Sequence, residues 1–357
     1  MKPTHGSSAK QATGRGAGSN PANRFKPLDR STAEDWLDDP QGPGRDTEFW
    51  QDVSKSILSS NDSPDIPFDY SLNPYRGCEH GCIYCYARPT HEYFELSAGI
   101  DFESKILVKP NAPELFRQAL ARKSWTPQAI AISGVTDAYQ PVERKLGLTR
   151  ACLQVALDFR NPVAIITKNH LVTRDVDVLS QLTAFDCAAV YLSITTLDAD
   201  LARKLEPRAS TPENRLDAIR ALNEAGVPVG VLTAPVIPGL TDHEIPALLK
   251  AAKEAGARFA GYQVLRLPYG LKDLFREWLE THVPTQAGKV LNRIREVRGG
   301  ELNETRFGAR MKGEGVYAEQ IKQMFQLARK QVGFSAGGPR LCTDHFRDPT
   351  DRQKKLF

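Results

Sequence analysis

The chain has no run of the roughly 18 to 20 apolar residues that a membrane-spanning helix requires, and its first residues lack the apolar core of a signal peptide. It also has little net charge. Its 47 basic and 43 acidic residues leave a formal charge of +4, too little by itself to predict binding to nucleic acid or to a membrane surface. We therefore expect a cytoplasmic protein without membrane attachment, acting as a monomer.

Cysteine is scarce, with six residues in a chain of 357. Three of them are clustered, and this distribution favours a thiol or metal role in a reducing compartment over a disulfide framework. Cys152 and Cys187 lie in apolar segments and are expected to be small buried hydrophobic residues. Cys342 and His345 form a C-x2-H pair near the end of the chain, which we interpret as incidental.

The first 45 residues lack a periodic apolar face and are rich in Gly, Ser, Pro and Asn. Such a composition cannot bury enough surface to offset its chain entropy, so residues 1–45 are predicted to be a disordered basic tail. The tail has no acidic residue before Asp29. Contact with nucleic acid is therefore an alternative to a solvated tail.

From about Ile66 the sequence alternates apolar, strand-like runs with amphipathic helical stretches, the pattern of parallel β/α units, and we assign residues 46–268 to one core domain. One strand is predicted just before Cys78, and the others are predicted at 129–133, 163–167, 189–194, 228–236 and 259–265. Helices are predicted near 113–122, 148–159, 173–184, 212–225 and 242–254, with Thr149, Thr173, Thr211 and Asp242 near their N-terminal caps.

Six such units predict an α/β fold, either a full or partial barrel or an open doubly wound sheet. In each case the active residues collect at the carboxyl ends of the strands. Residues 269–357 turn helical and charged, which predicts a helical C-terminal extension packed on the barrel or a small appended domain.

The segment CEHGCIYC places Cys78, Cys82 and Cys85 at C-x3-C-x2-C spacing. Thiolates at this spacing can each reach a different iron of a 4Fe-4S cubane, and Gly77 and Gly81 permit the tight turns. No fourth cysteine follows for an electron-transfer cluster, and no second ligand pair follows for a structural zinc. One iron would keep an open position, suited to the amino and carboxylate groups of a methionine moiety.

CEHGCIYC resembles the cluster motif of the radical S-adenosylmethionine (SAM) superfamily. The resemblance implies a partial (β/α)6 barrel, a 4Fe-4S cluster held by the three cysteines, reductive cleavage of SAM to a 5'-deoxyadenosyl radical, and a flavodoxin- or ferredoxin-type electron donor. It also implies that Tyr84 helps to position the adenine. The segments ITKNHLVTRDVDVL and LSITTLDADLARKLEPRAS resemble the branch typified by spore photoproduct lyase, and the similarity extends over roughly residues 66–268.

Polar residues at the predicted strand ends are candidates for binding SAM. Ser133, Gly134 and Asp137 follow the second strand, where a glycine lets the backbone approach the amino group. Lys168 ends the third strand and would need an anionic partner such as the SAM carboxylate.

Three further candidates follow the later strands. The resemblance implies a ribose or carboxylate contact for Ser193, at the end of the fourth strand. Arg208 is expected to pair with the SAM carboxylate or with Glu206. The segment APVIPG, 234–239, could flank the adenine with its backbone.

One departure from the spore photoproduct lyase pattern limits what carries over. That enzyme has a hydrogen-donating cysteine after its second strand, whereas AISGVTDAYQPVE contains none. Tyr139 is a candidate hydrogen relay in its place. The leading interpretation is a radical SAM enzyme acting on an unidentified substrate. The alternatives are a lyase that repairs or modifies nucleic acid and an iron-sulfur module that transfers electrons or senses redox state without turnover.

Overall fold

The computed structural model describes residues 15–17, 47–335 and 337–349. Most of the predicted tail therefore lies outside the described residues. Residues 15–17 are an exception within it, because their backbone N–H groups donate to the carboxylate of Glu103 and Ala17 is buried.

Ten strands form two sheets in the described ranges. They are β1 (Glu48–Gln51), β2 (Leu58–Ser60), β3 (Tyr70–Leu72), β4 (Tyr75–Arg76), β5 (Lys105–Val108), β6 (Ile130–Ile132), β7 (Val163–Thr167), β8 (Ala188–Ser193), β9 (Val229–Val236) and β10 (Phe259–Val264). The small sheet has the order β1-β5-β4, and the large sheet has the order β10-β9-β8-β7-β6-β3-β2.

Twelve α-helices accompany these strands in the described ranges. They are α1 (Ile100–Ser104), α2 (Ala112–Leu120), α3 (Glu143–Leu146), α4 (Leu148–Phe159), α5 (Val176–Thr183), α6 (Ala199–Leu205), α7 (Pro212–Glu224), α8 (Ile245–Glu254), α9 (Leu271–His282), α10 (Pro284–Glu296), α11 (Ala309–Lys312) and α12 (Val316–Gln331). Of the four predicted caps, Thr211 accepts the N–H of Asn214 at the start of α7. Thr149 lies inside α4, while Thr173 and Asp242 lie in 3-10 segments. None of these helices is long and apolar enough to cross a membrane.

The large sheet confirms the predicted parallel fold. β3, β6, β7, β8, β9 and β10 pair in parallel from neighbour to neighbour, and β2 joins antiparallel, beside β3. Phe68, just before β3, and Arg266, just after β10, line the same cavity, so the two ends of the sheet curve toward each other. The architecture is the expected partial (β/α)6 barrel, with the carboxyl ends of the parallel strands facing one mouth.

The C-terminal helices pack on this barrel. Ile321 and Phe325 of α12 belong to the same buried hydrophobic cluster as the strand residues, and the Phe325 ring lies 4.6 Å from the ring of Tyr262 in β10. α9 and α10 supply Phe275, Trp278 and other residues to a second cluster that reaches Cys82 and Tyr84. Of the two alternatives for residues 269–357, the structure favours an extension packed on the barrel.

Candidate functional site

The three-cysteine loop is held from behind by a buried ion pair. Arg88 donates to the carbonyl oxygens of Gly81 at 3.0 Å and Cys82 at 2.9 Å, and to the Glu103 carboxylate at 2.8 Å. Both charged side chains are almost fully buried, and such a pair is stable only when its hydrogen bonds are satisfied. The loop geometry is therefore fixed by protein contacts that the spacing of the cysteines did not reveal.

The glycines of the loop adopt backbone conformations that favour glycine. Gly77 has φ of 79° and Gly81 has φ of 66°, both in the left-handed region. A Cβ atom on Gly77 would lie 2.8 Å from the His91 ring and 2.9 Å from the carbonyl oxygen of Phe102. The turns expected from these glycines are thus present, one directly before Cys78 and the other directly before Cys82.

Cys78, Cys82 and Cys85 all line this cavity. Burial raises the pKa of each thiol, so the thiolate forms need a cationic partner. Among the described residues, no three His, Cys, Asp or Glu side chains are arranged to hold a single metal ion. A cubane binds each thiolate through a different iron, so the cysteines fit a 4Fe-4S cluster better than a mononuclear zinc site.

The cavity has a volume of about 200 Å³ and brings together residues from distant parts of the chain. It is lined by nine of the sequence-predicted site residues, namely Cys78, Cys82, Tyr84, Cys85, Ser133, Gly134, Asp137, Lys168 and Ser193. Ala234 and Pro235 of the APVIPG segment line it as well. The rule that active residues gather at the carboxyl ends of parallel strands thus located the cavity from sequence.

Lys168 extends across the strand ends. Its Nζ atom donates to Ser193 Oγ at 3.1 Å and to the carbonyl oxygen of Ala234 at 3.3 Å, and it lies 5.7 Å from the centroid of the Tyr84 ring. No carboxylate of the described residues forms an ion pair with Nζ. A lysine held by neutral acceptors in a cavity is a site for an anion.

Asp137 lies between the cysteine loop and the end of β7. Its carboxylate accepts hydrogen bonds from Thr167 Oγ1 at 2.7 Å, from the Lys168 N–H at 2.8 Å and from the Tyr139 N–H at 2.9 Å. The Nδ1 atom of His80 lies 3.4 Å away. Burial alone would raise the pKa of Asp137, but His80 and these donors outweigh it and lower the pKa to about 2. The carboxylate therefore ties the cysteine loop to the strand that ends at Lys168.

Tyr84 is anchored through its hydroxyl group. The hydroxyl donates to Glu206 and lies 3.0 Å from Thr195 Oγ1. Glu206 also forms a buried ion pair with Arg215. Burial would raise the pKa of Glu206, but the positive charges of Arg215 and Lys168 and the hydrogen bonds from Arg215 and Tyr84 together outweigh burial and lower it. The Tyr84 ring is thus fixed at the cavity wall by a buried network.

The structure does not bring the other two predicted residues to the cavity. Arg208 pairs with Glu79 Oε1 at 2.7 Å instead of with Glu206, whose partner is Arg215. Glu79 follows Cys78 directly, so Arg208 helps to hold the cysteine loop. Tyr139 is fully buried in the largest hydrophobic cluster and does not line the cavity.

Sequence reasoning also missed residues that do line the cavity, among them Phe68, His80, Tyr86, Gln263 and Arg266. Tyr86 directly follows Cys85, and its hydroxyl donates to the carbonyl oxygen of Gly134 at 2.6 Å. Arg266 follows the last parallel strand by two residues, so the strand-end rule applied to β10 would have found it.

Comparison with known proteins agrees with this geometry. The family described as the Radical SAM superfamily matches residues 72–252, just over half of the chain. The chain is 33% identical over 252 residues to the Uncharacterized protein Rv2578c of Mycobacterium tuberculosis, covering 70% of this chain and 73% of that protein. It is 25% identical over 197 residues to the Radical SAM Nalpha-GlyT isomerase of Pseudomonas phage M6, covering 55% of this chain and 39% of the isomerase.

A solved structure shares the fold at low sequence identity. Spore photoproduct lyase complexed with dinucleoside spore photoproduct matches with a TM-score of 0.54 and 15% identity, covering 80% of this chain and 82% of that chain. At this level of sequence identity, the similarity shows a shared fold. The structural match covers more of the chain than the family match does.

Proposed function

We propose that this chain, which belongs to the radical SAM superfamily, cleaves SAM reductively and uses the resulting radical to abstract hydrogen from a bound substrate. The cofactors of the superfamily are a 4Fe-4S cluster and SAM. The proposal is carried by one observation: a single cavity is lined both by three thiols at the cluster spacing and by Lys168, a cation without a carboxylate partner among the described residues.

Each group has a separate task in this proposal. Cys78, Cys82 and Cys85 would hold three irons of the cluster, and the fourth iron would take the amino and carboxylate groups of SAM. When bound, this cluster supplies the electron that converts SAM to methionine and a 5'-deoxyadenosyl radical. Lys168 binds the SAM carboxylate, and Ser193 orients the Lys168 ammonium from the next strand.

The rest of the cavity wall positions these groups. Asp137 holds the Lys168 backbone by its N–H and contacts His80 of the cysteine loop. Gly134 leaves room near its backbone, since a Cβ there would come no closer than 3.6 Å to Asn73 and Ser71.

Nucleic acid is a second candidate substrate. Spore photoproduct lyase, which was solved in complex with a dinucleoside spore photoproduct, shares the fold. The repair reaction itself is not proposed, because the segment from Ala131 to Glu143 contains no cysteine.

A redox module without turnover is less favoured, because electron transfer alone gives no role to Lys168. Delivery of the electron by a flavodoxin- or ferredoxin-type protein, a cytoplasmic location and a monomeric state remain predictions.

The decisive experiment is anaerobic reconstitution with iron and sulfide, followed by incubation with SAM and dithionite. We expect 5'-deoxyadenosine to form. The control is the Cys78→Ala, Cys82→Ala, Cys85→Ala triple variant carried through the same steps. A reconstituted protein that holds four irons and binds SAM, yet forms no 5'-deoxyadenosine above this control, would contradict the proposal and support the redox module.

A further inference from the structure

One wall of the cavity carries an arginine that the proposed chemistry does not use. Arg266 follows β10, and its guanidinium lies over the Tyr86 ring with 5.7 Å between the guanidinium carbon and the ring centroid. Phe68 and Gln263 line the cavity as well. Lys168, which serves SAM in the proposal, projects from β7, three strands away from β10 in the sheet.

The guanidinium of Arg266 is poorly satisfied. Its described hydrogen bond is a weak one, from Nη1 to the Met311 sulfur at 3.7 Å, and its Nε atom is buried without a partner in the described part of the chain. No described carboxylate forms an ion pair with it. Two other buried arginines have carboxylate partners: Arg88 pairs with Glu103, and Arg215 pairs with Glu206.

The surroundings of Arg266 are cationic. Arg310 pairs with Asp65 at 2.6 Å, and Arg298 donates to backbone carbonyl oxygens, including that of Val264. Burial and the nearby Arg310 lower the pKa of Arg266 against smaller opposing effects of Tyr86 and Asp65. An anion bound here would supply the missing acceptors and offset the excess positive charge, and a phosphate would do so more fully than a carboxylate.

The neighbouring aromatic side chain suits a planar ring. Tyr86 is fixed by its hydrogen bond to Gly134, and 46% of its surface remains exposed, so Arg266 does not cover the ring completely. A nucleic-acid base stacks on aromatic rings of this kind, and arginine binds a phosphate through two parallel hydrogen bonds. The arginine and the tyrosine therefore both suit a ligand that carries a phosphate and a planar base.

We infer that Arg266 and Tyr86 form the substrate subsite of the cavity and recognise a nucleotide, with its phosphate on Arg266 and its base against Tyr86. The inference rests on the proposed function for its assignment to a substrate. It concerns equilibrium binding, however, so it can fail or succeed independently of SAM cleavage.

The test measures binding to the reconstituted protein by titration calorimetry, with SAM present to fill the adenosyl site. The probes are thymidine 5'-monophosphate, thymidine and inorganic phosphate, all at the same ionic strength. A pyrimidine is chosen because its ring differs from the adenine of SAM. We expect the monophosphate to bind about tenfold or more tightly than thymidine, as one charge-assisted contact provides.

Arg266→Gln should remove this preference and leave thymidine binding unchanged. Arg266→Lys keeps the positive charge but lacks the planar guanidinium, so it should retain part of the preference for the monophosphate. This variant replaces Arg266→Gln in the test if the glutamine variant does not fold. The matched control is Arg220→Gln, which removes an arginine from an exposed pair with Asp217 on α7 and should behave like the wild type.

Three outcomes would overturn the inference. The first is a wild-type protein that binds the monophosphate no more tightly than thymidine. The second is an Arg266→Gln protein that keeps the preference. The third is an Arg266→Gln protein whose SAM affinity falls as far as that of Lys168→Met, because Arg266 would then serve the SAM carboxylate. Unchanged SAM affinity with loss of the phosphate preference supports the inference.

Discussion

The Nζ atom of Lys168 donates a hydrogen bond to Ser193 Oγ over 3.1 Å, joining the carboxyl ends of two neighbouring parallel strands. Ser193 Oγ also donates to the carbonyl oxygen of Ala234 at 3.0 Å. The serine therefore keeps an acceptor of its own if the lysine is changed. The hydrogen bond to Ser193 therefore directs the Lys168 ammonium into the cavity, and the fold does not depend on this hydrogen bond.

Lys168→Met should weaken SAM binding about tenfold or more while cluster assembly stays normal. The substitution keeps much of the stem volume but removes a charge-assisted contact of roughly 1.5 to 3 kcal/mol with the SAM carboxylate. The measurement is titration with SAM, followed by the electron paramagnetic resonance signal of the reduced cluster. Lys322→Met, on an exposed pair with Glu319, is the control. Wild-type affinity in the Lys168 variant would refute the carboxylate assignment.

Replacing any one of Cys78, Cys82 and Cys85 with alanine should abolish the cluster, because two thiolates do not hold a cubane securely. Cys152→Ala and Cys187→Ala should retain it, since both residues are buried away from the cavity, as expected from sequence. Iron content and visible absorption after reconstitution measure the result. An intact cluster in all three of the first variants would show that the ligands lie elsewhere.

Asp137→Asn should destabilise the protein by about 2 kcal/mol near neutral pH, the equivalent of a pKa lowered from 3.8 to about 2. Because the folded state depresses this pKa, the stabilisation is fully present above about pH 4 and is lost as the pH falls toward about 2. Urea unfolding of both proteins at several pH values gives the difference. A difference that stays constant through this acid range would mean that the carboxylate charge is not its source.

Deleting residues 1–17 should make the reconstituted cluster bleach faster in air than deleting residues 1–14. Ala17 is 1% exposed and belongs to the hydrophobic cluster that contains Cys82 and Tyr84, so its removal opens a path toward the cysteine loop. Gly16→Val provides a point variant, since a Cβ on Gly16 would lie 2.0 Å from the carbonyl oxygen of Gly81 and would displace the segment. Equal bleaching rates in all these proteins would show that residues 15–17 do not shield the loop.

Features that depend on short-range sequence patterns could be predicted without the structure. The spacing of Cys78, Cys82 and Cys85 defines a ligand set within one loop, and the alternation of strands and helices predicts a parallel sheet whose strand ends carry Asp137, Lys168 and Ser193. The parallel sheet is confirmed, and these residues line one cavity because the carboxyl ends of parallel strands must meet at one edge, whatever the details of packing. The ligand role of the three cysteines stays a prediction.

The tertiary structure alone decided which distant residues became partners. The sequence predicted that Arg208 pairs with the SAM carboxylate or with Glu206, but the packing of the cysteine loop places Glu79 beside it, and Glu206 pairs with Arg215. Tyr139 follows a strand as a site residue would, yet its side chain turns into the hydrophobic core. Arg266 meets Tyr86 because the sheet curves until its two ends face one cavity. Such contacts depend on long-range geometry, which local sequence patterns do not encode.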